Sequence, residues 1–136
     1  MSKVIASFLI TPDCTVLQSY HVHDYRTYTD KNGEEYMIDG GCEYVRTSVN
    51  EEPAEHYTVT MDDTHKVRRE WFHWGTYGKD GDQPLVWKPL QDLDTTHIEA
   101  ILDTQTHIPE HLRELFNDEL KYREQVSKTH KLRGMR

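Results

Sequence analysis

Glu70-Trp71-Phe72-His73-Trp74-Gly75-Thr76 opens a stretch that runs through Gly78-Lys79-Asp80-Gly81-Asp82-Gln83-Pro84-Leu85 and Trp87 to Glu119-Leu120-Lys121-Tyr122-Arg123. All three tryptophans fall within seventeen residues of it. Asp62-Asp63 offers a helix N-cap, and Val67, Glu70, Trp71 and Trp74 recur at helical spacing until Gly75, which predicts a central helix ending there. Residues 78–84 read as a loop, and residues 85–90 as a short extended segment whose Pro89 assigns it to a sheet edge. Thr96-His97-Ile98-Glu99 matches a capping box ahead of an apolar stripe of Ile98, Ile101 and Leu102. Pro109 suits the first turn of a second helix, in which Leu112, Leu115, Phe116 and Leu120 recur at i, i+3, i+4 and i+8. Two helices of about 10–15 residues with a tight connection predict a helical hairpin over about residues 95–125.

The N-terminal half reads as strands. Residues 3–10 are apolar and β-branched, Pro12-Asp13 marks a turn, and residues 16–29 alternate well enough to predict one long strand. Asp30-Lys31-Asn32-Gly33 is a hairpin turn, with Asn-Gly supplying positive φ, and residues 34–39 return as a strand that Gly40-Gly41 ends. Residues 42–49 fit a strand or a short helix equally, residues 50–55 a loop around Pro53, and residues 56–61 a strand. These elements predict an α+β domain over residues 1–125. In it a small, mostly antiparallel sheet carries the central helix and the C-terminal hairpin, and residues 126–136 follow as a flexible basic tail.

Composition bounds the chemistry. A chain of 136 residues suits one domain. Ten Leu, six Ile, nine Val and three Phe make a lean core, which eight Tyr and three Trp enlarge. No apolar run reaches the ~20 residues of a membrane helix, and the run at residues 4–10 lacks the pattern of a signal peptide. Cys14 and Cys42 stand apart, as free thiols do in a reducing compartment. The formal charge of −8 is uneven. Residues 121–136 hold six Lys/Arg against Glu124, a net of +5, leaving ten basic and 23 acidic side chains, −13, on residues 1–120. That body repels nucleic acid, and only the basic tail could attract it. The carboxylate pairs Glu34-Glu35, Glu51-Glu52 and Asp62-Asp63 are too scattered to imitate a phosphate backbone.

The candidate reactive groups centre on His21-Val22-His23-Asp24. On one strand, His21 and His23 would share a face about 7 Å apart. That spacing suits two ligands of zinc or another divalent metal, completed by Asp24, Asp39 or His73, or an acid/base pair for a small hydrolase using His21, His23, Asp24 and His73. The plainer reading is a solvent-facing strand that carries histidines among tyrosines. Asp30, Asn32 and Glu34 lack the Gly and Glu positions of a calcium loop. Gly75, Gly78 and Gly81 lack the Lys-Ser/Thr of a phosphate loop. Cys42 has no activating base beside it in the sequence. Trp71, Trp74, Tyr77 and Trp87 are the expected partner-binding residues, because Trp, Tyr and Arg dominate binding hot spots.

The chain also resembles a group of small tailed-bacteriophage proteins of unknown function. The resemblance is carried by Phe72-His73-Trp74-Gly75-Thr76, Gly78-Lys79-Asp80-Gly81, Pro84-Leu85, Trp87, Leu90 and Leu93. It continues in His97-Ile98-Glu99-Ala100-Ile101-Leu102, Thr104-Gln105, Ile108-Pro109, Leu112-Arg113, Phe116, Glu119-Leu120 and Tyr122-Arg123. Upstream, His23-Asp24-Tyr25 and Asp39-Gly40-Gly41 look like the same group, so the likeness spans roughly residues 20–123. It implies an accessory protein working in the cytoplasm of an infected bacterium, and brings no activity with it. The expectation is a non-catalytic protein without a cofactor that binds a host or phage protein, as an inhibitor of a host enzyme or defence factor would. The alternatives are the histidine hydrolase, and a homo-oligomer sequestering a nucleotide through Arg26, Arg46, Lys79 or the tail.

Overall fold

The structure is a computed structural model that describes residues 3–21, 23–42, 46–47, 54–78 and 81–134. Strand β1 (Val4–Ile10) has no charged side chain and is buried at its five central positions, so it needs neighbours on both edges and cover on both faces. Antiparallel partners flank it: β2 (Val16–Ser19), with Leu9 opposite Leu17, and β6 (Glu55–Thr60), with Phe8 opposite Tyr57. Ala6 and Phe8 join the main core with Val59, Leu90, Ile98, Leu115 and Phe116. Ser7 and Leu9, which point to the other face, are equally buried. So are Tyr36 and Ile38 in a second antiparallel sheet of β3 (Arg26–Thr29), β4 (Glu35–Asp39) and β5 (Arg46–Thr47), which adjoins β2.

The expected hairpin at residues 30–33 is present. Gly33 alone takes positive φ there (82°), and Asp30 Oδ1 accepts from the amides of Asn32 and Glu34, both at 2.9 Å. The single strand expected over residues 16–29 is not. The chain turns between β2 and β3, with the Asp24 amide donating to the His21 carbonyl at 3.1 Å and His23 at φ 62°. Buried Asp24 enforces the turn by accepting from the Tyr20 amide and from Arg26, each at 2.7 Å. Of residues 42–49, Arg46–Thr47 forms β5, and residues 43–45 and 48–49 lie outside the described residues. Residues 50–53 of the expected loop lie outside them as well.

Helix α1 (His65–Trp71) begins after Thr64, not at Asp62-Asp63, because the Asp63 carboxylate is held by the Thr60 amide at 2.8 Å. It also stops before the expected Gly75. Phe72 is already extended (φ −72°, ψ 129°), and β7 (His73–Thr76) pairs antiparallel with β8 (Val86–Pro89). The alternation of Phe72 and Trp74 outweighs the helical spacing, since both rings meet Phe116 edge-on, at 5.8 and 5.4 Å. A short 3-10 turn (Leu90–Asp92) leads into α2 (Thr95–Thr104), whose N-cap is Asp94 and not Thr96, because buried Leu93 enters the core just ahead of it. Helix α3 (Glu110–Gly134) is 25 residues long, roughly 37 Å at 1.5 Å per residue. It continues past residue 125 because Lys, Gln and Arg favour helix even without an apolar stripe.

A buried ionic cluster joins α1 to α3. Glu119, with no exposed surface, accepts from Arg69 at 2.8 and 3.0 Å, Arg123 at 2.6 Å and His65 at 2.9 Å. Arg123 also donates to the Leu90 carbonyl at 3.1 Å and to Thr95 Oγ1 at 2.9 Å. The β7–β8 hairpin is therefore anchored at its base between the core and α3. Among the described residues, no helix is long and apolar enough to cross a membrane.

Candidate functional site

The β7–β8 hairpin carries the site, and its period-2 pattern assigns its side chains. Trp74 faces Phe116 and the core, while His73 and Gly75 lie on the other side opposite Pro89 and Trp87. Gly75 leaves room for close approach: a Cβ there would crowd the Trp87 ring at 3.1 Å and Leu85 at 3.2 Å. The indole of Trp87 instead stacks on Tyr20 (5.3 Å between centroids) and on His21 (5.5 Å). Tyr20 also meets the His73 ring at 4.9 Å and the Arg26 guanidinium at 5.2 Å. Gly41, at φ +57°, backs this cluster, since a Cβ would lie 2.7 Å from the backbone of His21. At the far end of the hairpin Tyr77, Leu85 and Val86 are 56, 43 and 49% exposed.

Beside the aromatic cluster lies an open cleft of about 1250 Å³ between the hairpin, β1 and the start of α3. Val4, Ile5, Phe72 and Leu112 make it apolar, and His73, His111, Lys3 and Glu114 supply polar groups. His73 is held in one tautomer. Its Nδ1–H donates to the Trp71 carbonyl at 2.8 Å, and the Gln18 amide donates to the same oxygen at 3.1 Å. Nε2 has no hydrogen-bond partner among the described residues, and His73 is one of the residues lining the cleft. Burial pushes the imidazole below its ordinary 6.5 against the opposing pull of that carbonyl, so it is neutral with an Nε2 lone pair to offer. His111 is lowered too, first by burial and then by the Lys3 ammonium.

The histidines expected on one strand face are placed otherwise. The turn that follows Tyr20 removes the alternation on which a shared face of His21 and His23 depended. His21 stacks on Trp87 and approaches Asp24 at 3.8 Å. Asp24 pairs with Arg26 at 2.7 Å, and buried Asp39 with Arg46 at 2.6 Å, so both carboxylates proposed to complete a metal site are neutralised by arginine. The same pairs engage two of the cations proposed to grip a nucleotide, and Lys79 lies outside the described residues. Among the described residues, no three His, Cys, Asp or Glu side chains gather as a metal-binding group.

Of the four expected partner-binding residues, Trp71 stacks on Phe8 at 4.1 Å, Trp74 packs on Phe116, Trp87 is half-buried, and Tyr77 is exposed. Sequence reasoning missed Leu85, Val86, Tyr20 and His111. The pairing of Gly75 with Trp87 would have exposed the hairpin, because a glycine opposite a large ring marks a ring lying across the strand. His111 carried no signal beyond its place in the first turn of α3. Compared with protein-family models, with curated proteins and with solved structures, the chain matches none.

Proposed function

We propose that the chain is a non-catalytic binding protein that docks a host or phage protein through the free end of the β7–β8 hairpin, working as a phage accessory protein that inhibits a host enzyme or defence factor. The observation that carries this reading is the cluster of Tyr77, Leu85 and Val86. Large exposed hydrophobics elsewhere (Val16, Tyr25, Tyr57 and Val126) sit singly on other elements, whereas these three lie together around the Thr76–Val86 pair. Three large exposed hydrophobics at neighbouring positions of one hairpin, with Leu85 and Val86 on its two faces, favour an interaction surface where single residues do not. The acidic body argues for a protein partner over nucleic acid.

The test is affinity capture from a bacterial lysate with the wild-type chain and a Tyr77→Ser/Val86→Asp variant of equal thermal stability. One protein retained stoichiometrically by the wild type, and depleted about tenfold by the variant, supports the reading. Equal retention by both removes the hairpin from docking.

A further inference from the structure

We infer that the distal part of α3 is a docking surface for duplex DNA, whose phosphates its lysines and arginines grip without reading the bases. What carries this is positive charge placed on a helical segment that extends off an acidic body. Residues 121–136 hold six Lys/Arg against Glu124, whereas residues 1–120 carry a net of −13. Arg123 is committed to buried Glu119 at 2.6 Å. The other five are Lys121, Lys128, Lys131, Arg133 and Arg136, a net of +4 with Glu124; Arg136 lies outside the described residues. Lys128 meets Glu124 at 3.1 Å, but the two side chains are 70 and 66% exposed, so the pair yields readily to a phosphate. The helix runs to Gly134, and residues 124–129 are all exposed. Residues 124–134 carry it roughly 16 Å past Arg123 at 1.5 Å per residue. That exceeds the ~10 Å over which the field of the acidic body acts at about 0.1 M salt. The cations are therefore presented where repulsion of DNA by the body is screened.

Duplex DNA suits this segment better than other anionic surfaces. It carries one phosphate charge per ~1.7 Å of axis, and cations that displace its condensed counterions gain an entropy that a sparsely charged protein surface does not offer. Its major groove, ~12 Å wide, admits a helix, whereas the major groove of duplex RNA is too narrow. A membrane surface would need an apolar face along the same segment. Beyond Arg123 the large apolar residues of the helix are Val126 and Leu132, six positions apart and on no common stripe. The inference is independent of docking at the hairpin.

The experiment titrates the full chain into a fluorescently labelled DNA duplex of mixed sequence and reads anisotropy between about 20 and about 200 mM salt. Binding is expected, with log K falling against log salt at a slope of about −3 to −4, as roughly four neutralised phosphates require. Duplexes of different sequence should bind within about threefold of one another, because phosphate contacts carry no sequence information. Lys128→Gln/Lys131→Gln/Arg133→Gln keeps good helix formers in place. It should retain the helical circular dichroism of the wild type, weaken binding at least about tenfold at about 50 mM salt and flatten the slope by about three. The chain truncated after residue 125 should not bind. No binding by the wild type at about 20 mM salt, or equal binding by the wild type and the triple-Gln variant, would overturn the inference. So would a duplex RNA that binds as tightly as the DNA, or binding to anionic phospholipid vesicles without binding to DNA. The titration needs no protein partner, so its failure is distinguishable from loss of docking at the hairpin end.

Discussion

Glu119 has no exposed surface and yet is ionised. Burial pushes its carboxyl upward, but the bonds from Arg69, Arg123 and His65 together outweigh it and hold the group below its ordinary 4.5. Removing one member of such a cluster strands the others, which typically costs about 3–5 kcal/mol. Glu119→Ala should therefore lower the unfolding free energy in urea by about that amount. Glu124→Ala, which removes a surface pair with Lys128, should change it by less than about 0.5 kcal/mol. Equal effects would show that the cluster is not the clamp described here. Little at this scale was legible. The Glu119–Arg123 spacing and the Arg68-Arg69 pair stand in the sequence, but only the fold sets α1 against α3. His21 and His23 misled for the converse reason: their spacing is informative only on an unbroken strand, and buried Asp24 breaks it.

Elements were more legible where one physical signal acted alone. The apolar run of β1, the Asp30–Gly33 turn, the alternation of β6 and the stripes of α2 and α3 all appear where the pattern puts them. Boundaries failed where two periods competed. Val67, Glu70, Trp71 and Trp74 fit a helix, Phe72 and Trp74 fit a strand, and contact of both rings with Phe116 selected the strand. The distal part of α3 is the opposite case, in which propensity extends a helix that packing does not require. Residues 124–129 are all exposed, and among the described side chains the last anchor on the body is Arg123. A chain truncated after residue 125 should therefore keep its urea midpoint, with a change in unfolding free energy within about 0.5 kcal/mol, while losing helical circular dichroism. A loss above about 1.5 kcal/mol would mean that the distal helix packs on the body.

Over the whole molecule, acid acts through two opposed effects. His73 and His111, both half-buried, are pushed below 6.5 by loss of solvent, so the unfolded chain takes up protons that the folded chain refuses. Stability from these groups is complete above about 6.5 and is lost as pH falls toward their folded values. Glu119, also lowered, holds its contribution above 4.5 and loses it at still lower pH. Against the histidines stands relief of repulsion, because the net charge of −8 shrinks as pH approaches the isoelectric point near 5.5. Salt separates the two. At about 0.5 M the repulsion between surface charges is largely screened, whereas burial of a neutral imidazole is not. The urea midpoint should therefore fall between pH 8 and pH 5, and fall further at about 0.5 M salt than at about 10 mM, where charge relief compensates. His73→Phe/His111→Phe should flatten the high-salt dependence. A midpoint that rises on acidification at high salt would show that the half-buried histidines do not govern the acid response of this fold.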